Sequence, residues 1–183
     1  MANILKFKLI ISGFSISILI LIPLWKSNFG APVTIKKWEH LSWVDFNGLV
    51  KPFTGWGAGI SSTVYLEFDS VSRKYTAYAG QNNQKSWVKS RWRGSANLLK
   101  HEQYHFNITE VHARMMNEYI EQNPGYELFE KKLESIKSDL LAMQSKYDIE
   151  TDHNKNGDQQ KIWDVRIDSL LNVYSNYSNQ TYK

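Results

Sequence analysis

Between residues 63 and 68 apolar and polar side chains alternate: Val64, Leu66 and Phe68 fall on one side, Thr63, Tyr65 and Glu67 on the other. That period of two predicts a strand with one buried face. Residues 74–79 predict a second strand, Gly80-Gln81-Asn82-Asn83 a turn, and residues 86–92 a third strand. Ahead of them, residues 32–59 look irregular, with Trp38, Trp43, Phe46, Phe53 and Trp56 set among Gly and Pro. Aromatic packing would anchor such a loop-rich segment. Beyond Gly94 the period changes to three and four. Ser95 is a suitable N-cap, and Leu98, Leu99, Phe106, Ile108, Val111, Met115, Tyr119 and Ile120 line a helix over residues 96–122. Asn123-Pro124-Gly125 stops it. A second helix is predicted over 126–146 on Phe129, Leu133, Ile136, Leu140 and Met143. A polar loop over 147–158 follows, then a third helix over 159–174 on Trp163, Ile167, Leu170 and Tyr174. The tail from 175 is polar and expected to fray. The predicted class is α+β: a small, mostly antiparallel sheet followed by a helical part containing a hairpin.

The first 31 residues stand apart. Lys6 and Lys8 precede an apolar run over 9–25, broken only by Ser12, Gly13, Ser15, Ser17 and Pro23. This reads as an export signal or an uncleaved membrane anchor, and its length is at the lower limit of a span. The chain is therefore expected outside the cytoplasm: periplasmic, membrane-anchored or secreted. Residues 32–183 make one domain. The formal charge is +4, and Lys6, Lys8 and Lys26 account for three of those charges, so 4 − 3 leaves +1 on the domain. A near-neutral domain argues against a nucleic-acid partner. Lys89, Arg91, Arg93 and Lys100 beside Trp87 and Trp92 read as a solvated face. There is no Cys and hence no disulfide.

The helix over 96–122 carries His101-Glu102-Gln103-Tyr104-His105. A helix turns about 100° and rises about 1.5 Å per residue, so the two imidazoles project from one face, one turn apart. That spacing suits a shared tetrahedral zinc, with Glu102 placed to take a proton from a metal-bound water. A third ligand must come from elsewhere. Glu110 is rotated by about 140° and lifted about 7.5 Å from His105 on an unbroken helix, and His112 is about 10.5 Å away. An antiparallel second helix returns to the level of the motif near Met143. The loop starting at Tyr147 then lies beside it. His153 is the expected third ligand, with Asp152 and Asp148 in reserve.

Several segments in this order resemble a known family. They are Leu41-Ser42-Trp43-Val44-Asp45-Phe46-Asn47-Gly48, Ser86-Trp87-Val88, the stretch 98–108 with Glu110, Ala113 and Arg114, then Tyr147-Asp148 with Thr151 and His153, and Gln160 with Trp163. From about Trp38 to Leu171 the chain resembles an uncharacterised bacterial family of predicted secreted zinc-dependent proteases. The family has Gly after the loop His. Here Asn154 stands there, a residue that tolerates the left-handed conformation. The resemblance implies a zincin-like domain in which Glu110 and Arg114 support the site. They are four apart, so an ion pair between them is natural. The expected activity is zinc-dependent peptide-bond hydrolysis on a peptide or protein substrate. His101, His105 and His153 would hold Zn2+, Glu102 would be the base, and Tyr147 or Tyr104 would donate to the oxyanion. An edge near 63–68 would align the peptide. The alternatives are a zinc amidase acting on cell-wall peptides and a non-catalytic membrane-anchored binding protein. An intact Glu102 disfavours the latter, since a structural metal needs no base.

Overall fold

The strands end at Val88 and the long helices begin at Ala96, just past the change of period near Gly94. A computed structural model of the chain describes residues 34–123 and 129–179. Two units divide the chain, 1–30 and 31–183. The expected leader or anchor lies outside the described residues. Among the described residues no helix is long and apolar enough to cross a membrane.

The fold is α+β. Three strands, β1 (Ile35–Lys37), β3 (Ser62–Asp69) and β4 (Lys74–Asn82), form an antiparallel sheet in the order β1-β4-β3. Two short strands, β2 (Ala58–Gly59) and β5 (Trp87–Val88), form a separate antiparallel ribbon. Three helices follow: α1 (Ala96–Gln122), α2 (Phe129–Thr151) and α3 (Gly157–Val173). Short 3-10 turns occur at Trp43–Asp45, Ser90–Trp92 and Ser175–Tyr177.

The predicted hairpin is present, with Val64 opposite Ala79 and Leu66 opposite Ala77. Small Ala77 and Ala79 are wholly buried and let α1 lie close against β4. β1 pairs only with the last three residues of β4. The open edge at Ala77 is filled from α1 instead, where Asn117 Oδ1 accepts from the Ala77 N–H and Nδ2 donates to its carbonyl. The backbone groups of a buried strand are thereby satisfied.

Ser95 caps α1 by accepting from the Leu98 N–H at 3.2 Å. The middle of α1 is buried almost all round, because the sheet covers one side and α2 and α3 the other. That enclosure is why a helix with a modest apolar face carries so many buried polar residues. The hairpin of α1 and α2 is antiparallel as predicted: Gln144 Nε2 donates to Thr109 Oγ1 at 3.1 Å, and Tyr147 Oη donates to the His101 carbonyl at 3.3 Å.

Four expectations change. β4 runs on to Asn82, through most of the turn expected at 80–83, because Gly80, Gln81 and Asn82 pair with β1. The irregular region 32–59 supplies β1 and β2, too short for a periodic signal. The third strand is two residues, because the Lys89 N–H bonds the Gly57 carbonyl and the chain then turns, Trp92 N–H to Lys89 carbonyl at 2.8 Å. The polar loop expected from Tyr147 is mostly helix. α2 runs to Thr151, since Tyr147 and Thr151 continue its buried line from Ile136 and Leu140.

Candidate metal centre

His101, Glu102 and His105 are all buried on α1. Their burial is unusual for such residue types and calls for partners. The partner is Asp148, in the last turn of α2. Its Oδ1 lies 3.2 Å from His101 Nε2 and 2.9 Å from His105 Nε2. The three donor atoms lie within 4.8 Å of one another, so this set can hold a metal ion.

His153 is brought alongside by the way α2 ends. The Asp152 N–H bonds the Ile149 carbonyl at 3.3 Å and the His153 N–H bonds the Asp148 carbonyl at 3.0 Å. These are the paired bonds of a Schellman cap. The cap needs a left-handed residue after the helix, and here three residues in succession adopt it: Asp152 (φ 46°), His153 (φ 48°) and Asn154 (φ 75°). The chain folds back so that His153 Nδ1 stands 3.2 Å from the same Asp148 oxygen. Three imidazole nitrogens therefore surround one carboxylate oxygen. His153 lies outside the 4.8 Å set of His101, His105 and Asp148. The expected third donor thus sits beside the site, while Asp148, the sequence's reserve, completes the set.

Burial alone would raise the Asp148 carboxyl, but hydrogen bonds from His101 and His105 and their charge hold it well below the usual carboxylate range. Burial opposes the charge of His101; the bond to Asp148 and the nearby Glu102 outweigh it and raise its proton affinity. Glu102 is pushed up by burial, offset only in part by His105, His101 and the Ile60 N–H. A carboxyl so placed keeps more affinity for a proton than a surface one, as a base working near neutrality needs.

A buried network fixes His101 from behind. Its Nδ1 lies 3.0 Å from Gln160 Oε1 on α3. Gln160 Nε2 donates to Asp164 Oδ1 at 2.6 Å and to Tyr147 Oη at 2.6 Å. Asp164 also pairs with Lys100 at 2.7 Å. A carboxylate accepts only, so Asp164 orients the amide with its oxygen towards His101. His101 must then carry a proton on Nδ1, which leaves Nε2 for a metal. Among the described residues His105 Nδ1, which is buried, has no hydrogen-bond partner.

The two imidazoles and Glu102 open on a cavity of about 640 Å³, also lined by Asp148, His153 and Trp56. The Trp56 ring lies 4.9 Å from that of His153. Glu102 Oε2 accepts from the Ile60 N–H at 2.8 Å. Residues 57–62, through β2 to the start of β3, form one wall. Among the described residues β2 is paired on one edge only, with β5. The peptide-aligning edge expected over 63–68 is elsewhere, for no residue of that range lines the cavity.

Tyr147 does not face the cavity. It is fully buried, its ring stacked on His101 at 4.7 Å and edge-on to His105 at 4.8 Å. Burial raises its hydroxyl pKa far above the ordinary value, and that hydroxyl is spent on Gln160 and the His101 carbonyl. Tyr104 donates to Asp168 at 3.0 Å, again away from the cavity. The expected oxyanion donors are therefore packing and orienting groups. Glu110 and Arg114 form the expected ion pair at 2.8 Å, both buried and outside the cavity. His112 is a packed residue whose Nδ1 bonds the Ile108 carbonyl at 2.8 Å.

Sequence reasoning noted Gln160 only as part of the resemblance, without a role, and missed Asp164. The signal was there: two polar residues four apart, both buried with Trp163 and Ile167 on the covered face of α3. No family model, no curated protein and no solved structure matches the chain.

Proposed function

We propose that this chain is a zinc-dependent hydrolase, a metallopeptidase acting outside the cytoplasm. The observation that carries the reading is the convergence of His101 Nε2, His105 Nε2 and Asp148 Oδ1 beside Glu102 in one cavity. The donor set is nitrogen and oxygen, which zinc accepts, and it comes with an ordered outer hydrogen bond on His101. His101, His105 and Asp148 hold the ion, and His153 supports Asp148. A bound zinc supplies a Lewis acid that acidifies water and polarises a carbonyl.

Among the described residues Glu102 Oε1 has no hydrogen-bond partner. Oε2 is taken by the Ile60 N–H, so Oε1 accepts the proton of the attacking water and returns it to the leaving amine. Buried Tyr147 and Gln160 keep the His101 ring in plane and tautomer. The single-paired β2 offers backbone groups to an extended substrate. The resemblance to secreted zinc-dependent proteases agrees with this chemistry and supplies the export expected of residues 1–31.

The test combines metal content with turnover. Purified protein should carry one zinc per chain, lost in His101→Ala/His105→Ala. Glu102→Gln should keep the zinc and lose metal-dependent cleavage of a mixed peptide substrate. Asp148→Ala should lose zinc, while His153→Ala should weaken it by about 10–100-fold, as expected of a group acting through a ligand. Full turnover in Glu102→Gln would remove the base. Zinc retained by Asp148→Ala but lost from His153→Ala would restore His153 as the third ligand.

A further inference from the structure

The cavity also carries cationic side chains. Lys51 and Lys85 both line it. They come from distant parts of the sequence, yet the segments beside them are hydrogen-bonded together. The Asn47 N–H donates to the Asn83 carbonyl at 2.9 Å, and the Gly48 N–H to the Ser86 carbonyl at 2.7 Å. The approach is backbone to backbone. A Cβ on Gly48 would fall 2.6 Å from the Gln84 carbonyl oxygen and 2.8 Å from that of Ser86, so only glycine permits it. The two lysines are thus carried by segments pinned to each other.

Neither ammonium has an ion pair among the described residues, whereas Lys36, Lys37 and Lys100 each have one. The two acids that line the cavity are engaged elsewhere: Glu102 with the Ile60 N–H, Asp148 with the histidines. With a divalent ion bound and imidazoles neutral, the lining charges are +2 from the ion, +2 from the lysines and −2 from the acids, so 2 + 2 − 2 leaves the cavity at +2. A concave site of one sign concentrates ligands of the other.

We propose, resting on the hydrolase reading above, that this cavity selects peptide substrates by a carboxylate drawn to Lys51 and Lys85. The carboxylate belongs either to an acidic side chain or to the chain terminus; both present the same planar anion. Exposed Leu49 and Trp56, which also line the cavity, give the substrate's apolar atoms a surface.

The test uses the full chain with zinc bound, as Glu102→Gln so that nothing is consumed, and calorimetric titration with peptides of one sequence. A C-terminally amidated peptide carrying Glu should bind about five- to tenfold tighter than its Gln counterpart, the worth of two exposed ion pairs. If the terminus is the recognised group, the Gln peptide with a free carboxylate should show that advantage over its amide instead. Either preference should fall towards one in Lys51→Gln/Lys85→Gln at unchanged zinc content, and should shrink with added salt. Equal binding of all three peptides overturns the proposal, as does a preference that survives the double substitution. Cleavage by the wild-type protein, measured in parallel, separates this from the broader reading. Turnover without charge preference sinks the lysine assignment alone. Charge-selective binding without turnover sinks the hydrolase alone.

Discussion

Gln160 holds one ring in one tautomer, and the cost of losing it should appear in metal affinity more than in folding. Its amide is oriented by Asp164 and spans to His101 Nδ1 at 3.0 Å. Gln160→Met keeps the length and apolar bulk of the side chain but removes the acceptor. His101 can then shift its proton to Nε2, the atom the metal needs. Zinc affinity should drop about 10–100-fold in a competition titration, with the helical circular dichroism unchanged. Unaltered affinity would mean that the Gln160 contact does not set the tautomer. At this scale the sequence was most informative where a motif fixes spacing on one helix, as for His101, Glu102 and His105. It was least informative where a role depends on which neighbour a side chain meets. Tyr147 was expected at the oxyanion because its hydroxyl is chemically able. Only the fold shows that hydroxyl turned to Gln160.

The end of α2 shows why element boundaries mattered more than element existence. α1 matched its predicted limits, because a cap and an Asn-Pro-Gly stop bracket it. α2 was ended early, because Asp148 and Glu150 made the segment look like loop. Yet Tyr147 and Thr151 keep the helical spacing, and Glu150 Oε2 accepts from the Trp163 indole at 2.8 Å. Ending the helix five residues later turns Asp148 from a loop residue into a helical one aimed at two imidazoles. The Schellman cap then delivers His153. Asn154, at φ 75°, is the residue a β-branched side chain would strain most. Asn154→Val should destabilise by about 1–2 kcal/mol in denaturant unfolding, and Asn154→Gly should stay within about 0.5 kcal/mol of the parent, its relief offset by a freer unfolded chain. Equal stability of all three would show that the cap tolerates another backbone path.

Across the whole molecule one ion pair ties the layers. Arg114 Nε donates to Glu110 at 2.8 Å, Nη1 donates to the Leu171 carbonyl of α3 at 2.7 Å, and the guanidinium lies 5.3 Å from the Trp38 ring. Glu110 also accepts from the Ala79 backbone of β4. Sheet, α1 and α3 meet at two side chains. The sequence foretold the pair but not that it was buried, since burial depends on both layers closing over α1. Arg114→Met should cost about 3 kcal/mol, because it strands a buried carboxylate. Burial already holds Glu110 above its ordinary 4.5, and losing Arg114 raises it further. The native state would then bind more protons than the unfolded chain at pH above that value. Stability of Arg114→Met should therefore improve as pH falls towards it. Glu110→Gln/Arg114→Met should recover part of the loss at neutral pH. A single variant as stable as the parent at pH 7 would mean that water reaches Glu110.

The donor set is split along the chain: two imidazoles lie four residues apart on one helix, and Asp148 follows 43 residues after His105. A short-range pair of this kind needs only a single helical turn to form, so an unfolded chain that flickers into helix offers zinc a weak two-nitrogen foothold. Mass action then works on both sides of the folding equilibrium. Zinc at low free concentration lifts the unfolding midpoint steeply, through the complete set. Once free zinc reaches the foothold's own dissociation constant, each further increase rewards the unfolded ensemble as well, and the midpoint flattens to a plateau.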